Sequence, residues 1–262
     1  MTAFHLKIIA VIAMIIDHTE VVFPGTFGTW GRVVGRIAFP IFVYLIAEGF
    51  RHTKSPWKFL LRLFVFAIIS EPFFDVAIRG AEFPTGVDFL NNTNIFYTLF
   101  LGGLIICIYD YVKGTFQPTV GKYLDRILAA SPIIWFMWLA EADLTTDYGG
   151  YGVLFIFLMY VIKPVKLRIA FMFVLCLWQF RYTIINLVEY FMQDGTWLAP
   201  LPFIMMIPAA WVAVLLVGFY NGKHGPKFLT EGSRWVRFSV KWGFYAFYPL
   251  HLMVLSIIAG RF

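Results

Sequence analysis

Charged residues are scarce in this sequence of 262 residues: they make up 14% of the chain, where a soluble domain carries about a quarter. Apolar residues account for 60% of the chain and aromatic residues for 20%. Such a composition is typical of chains that lie in a bilayer. The scarcity of charged residues therefore excludes a soluble enzyme. The formal net charge of +6 could suggest a nucleic-acid partner, but a membrane protein argues against that interpretation.

Cysteine is almost absent, and the motifs of soluble chemistry are missing. Cys107 and Cys176 both lie in apolar runs, which predicts buried thiols rather than a disulfide framework or a cysteine zinc site. The chain has no GxGxxG, P-loop or HExxH motif, and its five histidines follow no metal-ligand spacing. We therefore expect no metal cofactor.

Apolar segments divide the chain instead, since a membrane-spanning helix needs about 20 apolar residues. They predict an all-α integral membrane protein, a bundle of about nine transmembrane helices (range eight to ten) in a single domain over residues 1–262. The fifth and sixth segments are short for a full span, and the seventh is expected to break near Gln179 and Arg181. The first has no small-residue cleavage site, so we expect it to be retained. The segments cover residues 4–23, 33–50, 57–78, 93–112, 127–142, 150–163, 167–188, 201–220 and 241–260.

Lysine and arginine collect in alternate loops, which predicts a cytosolic amino terminus by the positive-inside rule. We expect a multi-pass protein of the bacterial cytoplasmic (inner) membrane. The basic loops hold Arg51, Lys54, Lys58 and Arg62; Lys113, Lys122 and Arg126; Lys163, Lys166 and Arg168; and Lys223, Lys227, Arg234, Arg237 and Lys241. The alternate loops are mostly acidic and hold Glu20; Glu82 and Asp88; Glu141, Asp143 and Asp147; and Glu189 and Asp194.

Ionisable residues inside predicted spans are expensive and usually face a cavity or a partner. The topology divides them into two sets. The outer set comprises Asp17, His18, Arg36, Glu71, Asp75, Asn94, Asp147, Arg181 and His251, and the inner set Lys7, Glu48, Arg51, Arg62, Asn221, Lys223 and Lys241. Structural roles compete with function at several of them: an interfacial cap, an interhelical ion pair, a membrane anchor, or, for His251, the carbonyl that Pro249 frees.

Lys7 and His18 stand eleven residues apart on the first span, close to three whole helical turns. We expect both on one face, about 16 Å apart along the axis. This geometry suits a long donor with an anionic head and a reactive tail, such as coenzyme A. His18 is then a candidate general base or acyl acceptor. Because neighbours in a helix do not face each other, a carboxylate from another span (Glu71, Asp75 or Asp147) is a better orienting partner for His18 than Asp17.

Six blocks in order, spread over nearly the whole chain, resemble the TraX family: LKIIAVIAMIIDHT (6–19), GRIAFPIFVYLIAEGFRHT (35–53), ISEPFFDVA (69–77), DYGGYGVL (147–154), YNGKHG (220–225) and FYAFYPLHL (244–252). The resemblance implies acetylation of a pilin amino terminus at the membrane, with acetyl-CoA as donor. The family residues it carries over are Asp17, His18, Arg36, Glu48, Arg51, Asp147, Asn221, Lys223 and His251. A looser similarity links the first span to acyltransferase-3 families, which have arginine where this chain has Lys7.

The sequence thus predicts an acetyl-CoA-dependent acetyltransferase in the lipid bilayer, with an extracytoplasmic peptide, protein or glycan acceptor. Three sets of residues are expected to serve it: catalytic His18, Asp17, Asp147 and His251; donor-binding Lys7, Arg51, Lys54, Asn221 and Lys223; and acceptor-binding Arg36, Glu71, Asp75 and Asn94. An amino-terminal amine is the leading acceptor. O-acetylation of a cell-surface glycan or small molecule, a proton-coupled transporter and a purely structural membrane subunit remain alternatives.

Overall fold

The computed structural model describes residues 1–181, 184–185, 188–189, 192, 201–226 and 232–261 (backbone alone for 201–203). Helices account for nearly all the regular structure of these residues, which contain no strand. The helices are α1 Ala3–Val22, α2 Thr29–Gly35, α3 Ala38–His52, α4 Pro56–Phe74, α5 Ile95–Val112, α6 Gln117–Ala130, α7 Ile133–Trp138, α8 Gly149–Val161, α9 Val165–Gln179, α10 Leu201–Gly218 and α11 Arg234–Ile258. A π-helical turn extends α4 over Asp75–Arg79, and another extends α7 over Leu139–Asp143.

The described residues form two compact units. The first comprises Met1–Tyr44 and Pro164–Gly260, and the second comprises Leu45–Lys163 together with Arg261. The division falls inside α3. The single domain expected from the sequence stays a prediction.

In the first unit, the start of α1 is tied to the segment that follows α10. The first-turn amides of Ala3 and Phe4 donate to the carbonyls of Lys223 and His224, at 2.9 and 3.0 Å. The Asn221 amide donates to the Met1 carbonyl at 2.9 Å. A helix leaves its first N–H groups without intrahelical acceptors, so the 221–224 segment supplies acceptors that α1 itself cannot.

Also in the first unit, α2 packs closely against α1 through two glycines spaced four residues apart. A Cβ on Gly31 would lie 2.7 Å from the Cβ of Glu20, and a Cβ on Gly35 would overlap the carboxylate of Asp17. Small residues at this spacing allow helix backbones to approach in a membrane. The two contacts also show that α2 runs antiparallel to the end of α1.

In the second unit, contacts pair the helix ends at two opposite levels. At one level, Asn94 at the start of α5 binds Glu71 near the end of α4, and the Thr93 amide donates to the Leu144 carbonyl at 3.4 Å. At the other level, Tyr160 near the end of α8 donates to Asp110 near the end of α5. Helices α5 and α8 are therefore parallel, and the chain between them, α6 and α7, returns across the unit.

The observed helices refine the predicted segments. The second segment begins earlier, at Thr29, and turns between α2 and α3. The fifth is divided into α6 and α7 at Ser131 and Pro132. Helix α6 begins where a loop was predicted, next to a turn whose Gly114 and Phe116 amides donate to Asp125, and its backbone is kinked at Gly121. The ninth begins at Arg234, where the Ser233 hydroxyl caps a basic first turn that apolarity alone misses.

Two helical stretches of the described residues are long and apolar enough to cross a bilayer: Thr29–His52, which includes α2 and α3, and Ile95–Val112. Gly149–Val161 and Ile204–Gly218 are apolar but shorter. Helix α9 ends at Gln179, at the predicted break. The rest of the seventh segment is described only in part, and Asp194 and Lys227 lie outside the described residues.

Replacing Gly35 with alanine should destabilise the protein by about 1–3 kcal/mol, because the new methyl group must displace the Asp17 carboxylate from its place between the helices. Gly243→Ala is the matched control, since a Cβ on Gly243 in α11 meets nothing within 4 Å. Thermal unfolding in detergent measures both. Equal midpoints for Gly35→Ala and Gly243→Ala would contradict the close packing of α2 on α1.

Candidate functional site

Two histidines meet where α1 packs against α11 in the first unit. The Nδ1 atom of His18 lies 2.7 Å from the Nε2 atom of His251, and the two rings are nearly parallel, at 8°. The other ring nitrogen of His251, Nδ1, lies 3.0 Å from the Phe247 carbonyl one helical turn earlier. Both side chains are half-buried. The site thus joins the first and last described helices of the chain.

The hydrogen bonds fix the tautomers of both rings when the rings are neutral. A carbonyl can only accept, so His251 Nδ1 carries the hydrogen and donates it to Phe247. His251 Nε2 is then an acceptor, and His18 Nδ1 must donate to it. The lone pair of His18 therefore resides on Nε2. A nitrogen with a lone pair and a fixed orientation is what a general base or nucleophile requires.

Aromatic rings hold this pair in place. The Phe247 ring stacks on His251 with centroids 4.9 Å apart and an interplanar angle of 5°. The buried ring of Tyr248 packs edge-on against both histidines, with centroids 6.0 Å from His18 and 5.5 Å from His251. Pro249 has no amide hydrogen and leaves the Tyr245 carbonyl without an amide partner. The described hydrogen bond of His251 to a backbone carbonyl goes to Phe247 instead.

Asp17 is occupied by two arginines of the α2 region. Its Oδ2 accepts from Arg32 Nη1 at 2.9 Å and its Oδ1 from Arg36 Nη2 at 3.1 Å. Arg36 also donates from Nε to the Arg32 carbonyl at 3.1 Å. The Asp17 side chain is 12% exposed, so the cluster is mostly removed from solvent. Asp17 anchors α2 through these ion pairs, and among the described residues the side chain hydrogen-bonded to His18 is His251 rather than a carboxylate.

Lys7, which is predicted to bind the donor, lies near the opposite end of α1 from His18. Both side chains face α11. Lys7 Nζ lies 5.1 Å from the centroid of the Phe244 ring of α11. Because Lys7 and His18 both contact α11, the prediction that they share one face of α1 agrees with the structure. Lys223 and Asn221 are exposed next to the first turn of α1, where the Lys223 amide donates to Asn221 Oδ1 at 3.1 Å.

Two predicted donor-binding residues, Arg51 and Lys54, lie in the second unit. Arg51 Nη2 donates to the carbonyls of Met159, Tyr160 and Ile162, at 2.7, 2.5 and 2.7 Å, and Nη1 pairs with Glu48 at 3.3 Å. The guanidinium thus caps the end of α8, where carbonyls lack intrahelical donors. Lys54 is exposed. The donor-binding roles of both residues stay predictions.

The predicted acceptor residues of the second unit are engaged with one another. Asn94 Nδ2 donates to Glu71 Oε2 at 2.6 Å and to the Ala67 carbonyl at 2.8 Å, while its Oδ1 caps α5 by accepting from Phe96. Among the described residues, Glu71 Oε1 is buried without a hydrogen-bond partner. These contacts hold α4 to α5, and the acceptor-binding roles of Glu71 and Asn94 stay predictions.

Asp75 and Asp147 also lie in the second unit. Buried Asp75 pairs with Arg79 at 2.8 Å and accepts from the Asp88 amide at 2.7 Å. In that loop, hydrogen bonds from the Leu90 amide and the Asn91 side chain hold the pKa of Asp88 below its ordinary value. The amide of Asp147 donates to the Thr93 carbonyl at 3.0 Å. The acceptor-binding role of Asp75 and the catalytic role of Asp147 stay predictions.

Sequence reasoning missed Arg32 and Tyr248 as parts of the site. In the sequence, Arg32 is only a basic residue in an otherwise acidic loop. An aspartate inside a predicted span requires a cationic partner. Asp17 was therefore the sequence signal that could have identified Arg32. Tyr248 is indistinguishable by sequence from the many aromatic residues of the last span. The described residues contain no group of three or more His, Cys, Asp and Glu side chains that could hold a metal ion.

The apolar composition and the two membrane-capable stretches of the described residues indicate a helical membrane protein, and the histidine pair is its candidate functional site. A family model described as TraX protein matches residues 3–259, so the chain belongs to the TraX family. The chain is also 29% identical over 268 residues to the probable fimbrial assembly protein FimC, serogroup H1, of Dichelobacter nodosus; the alignment covers 97% of this chain and 94% of that protein. No solved structure matches the chain at a significant level.

Nitrogen NMR of the detergent-solubilised protein with ¹⁵N-histidine should show His18 protonated on Nδ1 and unprotonated on Nε2. This outcome follows from the hydrogen-bond order from His18 to His251 to Phe247. His251→Phe removes the acceptor of His18 Nδ1 and should release the fixed tautomer, with His52→Phe as a control outside the pair. A His18 ring that carries its hydrogen on Nε2 would contradict the assignment.

Proposed function

We propose that this protein is a membrane-embedded acetyltransferase that moves an acetyl group from cytosolic acetyl-CoA to an acceptor at the outer face, most directly the amino terminus of a peptide or protein. The observation that carries the proposal is the oriented lone pair on Nε2 of His18, fixed by the bond from His18 Nδ1 to His251. Proton or acyl transfer at an imidazole requires a ring nitrogen whose lone pair is available and oriented, and this tautomer supplies one.

Two similarities support the reaction and its acceptor. The chain belongs to the TraX family, and the resemblance to that family implies acetylation of a pilin amino terminus. The relative from Dichelobacter nodosus bears the name of a fimbrial assembly protein. Both similarities support a protein subunit of a surface fibre as the acceptor.

The contacts between helix ends support a nine-span arrangement in the cytoplasmic membrane with a cytosolic amino terminus. In the second unit, Asp110, Tyr160 and Arg51 meet at a level rich in Lys and Arg, while Asn94 and Glu71 meet at the opposite, acidic level. In the first unit, the start of α1 meets the basic segment around Lys223. Each of these contacts lies on the side that the positive-inside rule assigns to it.

Within the first unit, the donor route follows the face that α1 shares with α11. Lys7, Lys223 and Asn221 bind the phosphates of the donor at the cytosolic end. About 16 Å of helix separates Lys7 from His18, a length that the extended pantetheine arm of coenzyme A can cover. The thioester then lies beside His18, and the acceptor approaches from the other side.

His18 Nε2 performs the proton transfer in this scheme. As the acceptor nitrogen forms its bond to the acetyl carbon, Nε2 takes the proton that the amine loses; the carbon–sulfur bond breaks, and the same proton passes to the departing thiolate. Positive charge that develops on His18 is shared with His251 through the 2.7 Å hydrogen bond. Alternatively, Nε2 attacks the thioester carbon, the carbon–sulfur bond breaks and the thiolate leaves; the amine then displaces Nε2 from the acetyl carbon, and the thiolate takes the proton that the amine loses.

His18→Ala should lower acetyl transfer by a factor of about 10² or more, because it removes the base or the acyl acceptor. Release of free thiol from acetyl-CoA, in the presence of a synthetic peptide with a free amino terminus, measures the rate. His52→Ala is the matched control, because His52 is exposed and pairs with Glu48. Undiminished thiol release by His18→Ala would refute its catalytic role, and substrate flux without thiol release would favour a transporter.

Lys7→Ala should raise the Michaelis constant for acetyl-CoA about tenfold with little change in turnover, because the lysine binds the head of the donor and not its reacting carbon. Binding is checked separately by thermal shift of the purified protein with acetyl-CoA. Lys122→Ala, which removes an exposed lysine of α6, should keep the full stabilisation. Equal stabilisation of wild type and Lys7→Ala would exclude the head-group role.

A further inference from the structure

At the outer end of α1, the carboxylates of the first unit have no free oxygen. Both oxygens of Asp17 accept from arginines. Both oxygens of Glu20 accept backbone hydrogen bonds, from Gly25 and Phe27, each at 2.7 Å. A cationic group of an acceptor therefore finds no uncommitted carboxylate in this cluster.

Arg32 is different, because most of its hydrogen-bonding capacity is open. Nη1 donates to Asp17, and no other hydrogen bond of its side chain is found among the described residues. The side chain is 39% exposed, against 16% for Arg36. Arg36 shares Asp17 and backbone amides occupy both oxygens of Glu20, so the exposed part of the Arg32 guanidinium keeps a planar fork of donors that suits a carboxylate.

Arg32 also lies outward of the histidine pair. Helix α2 runs antiparallel to α1, with Gly35 at the level of Asp17 and Gly31 at the level of Glu20. Arg32, next to Gly31, therefore lies between the level of His18 and the outer end of α1, away from Lys7 and the donor route. Arginine is rare on the outer side of a membrane protein, and anchoring alone does not account for it there.

We propose that Arg32 binds a carboxylate carried by the peptide acceptor close to its amino-terminal amine, so that the acceptor is selected for an acidic residue near its end. The proposal rests on the proposed acetyl transfer and adds a substrate preference to it. Asp17 holds the Arg32 fork in place, and the bound carboxylate brings the neighbouring amine towards His18. A basic residue at the same place in the peptide is repelled by Arg32.

Two synthetic peptides that differ only in glutamate or glutamine at the second residue test this preference. Wild type should acetylate the glutamate peptide with a kcat/KM about tenfold higher, expressed mainly in KM. Arg32→Gln should remove the preference, so that the ratio of kcat/KM for the two peptides falls from about ten to about one. Arg32→Lys, which keeps the charge but not the fork, should restore part of it. Arg181→Gln, which removes another arginine of the predicted outer set, should keep the full preference.

The outcomes separate this preference from the acetyl transfer itself. Equal rates with both peptides in the wild type, or an equal loss with both in Arg32→Gln, overturn the role of Arg32 while acetyl transfer stands. Acetylation of neither peptide, with acetyl-CoA binding intact, overturns the peptide acceptor altogether. Acetylation of a uronic-acid oligosaccharide in place of the peptides would assign the carboxylate to a glycan and overturn the proposal as well. Thermal midpoints confirm that each variant is folded.

Discussion

Hydrocarbon offers no water to a polar group, so each helix end and each ionisable side chain within a bilayer must find its partner in the protein. The described contacts follow this constraint. Arg51 takes three carbonyls at the end of α8, and Arg261 takes the carbonyls of Val76 and Ala77 in the π-helical turn. Asn94 caps α5 and binds α4 with the same amide. Many polar residues that look functional in the sequence are therefore tied to helix ends.

The hydrogen-bonding capacity of the histidine pair is not fully used in this way. His251 satisfies its own hydrogen bonds through Phe247 and His18, but the pair leaves the lone pair of His18 Nε2 with no described protein donor. The aromatic rings of Phe247 and Tyr248 fix the orientation of the pair without competing for that nitrogen. Among the described residues, His18 Nε2 thus combines a fixed ring orientation with an available lone pair, which is the property on which the proposed chemistry depends.

Sequence patterns predicted the helical class and most helix positions, because apolar runs and loop charges report directly on the solvent around each segment. The shared face of Lys7 and His18 was also predictable, since it depends only on helical periodicity. The partner of His18 was not: a carboxylate was favoured, and the pairing with His251 depends on tertiary contacts across 233 positions. The start of α6 was hidden for a related reason, because it depends on how Asp125 binds the turn at Gly114.

The two ends of α1 are completed by parts of the chain that are made much later. Its first amides bind carbonyls at Lys223 and His224, and its histidine binds a residue of α11. During synthesis, α1 enters the membrane first, yet neither its cap nor its histidine partner exists until almost all of the chain has emerged. An unfinished or truncated chain therefore lacks both the carbonyl acceptors of the first turn of α1 and the His18–His251 pair.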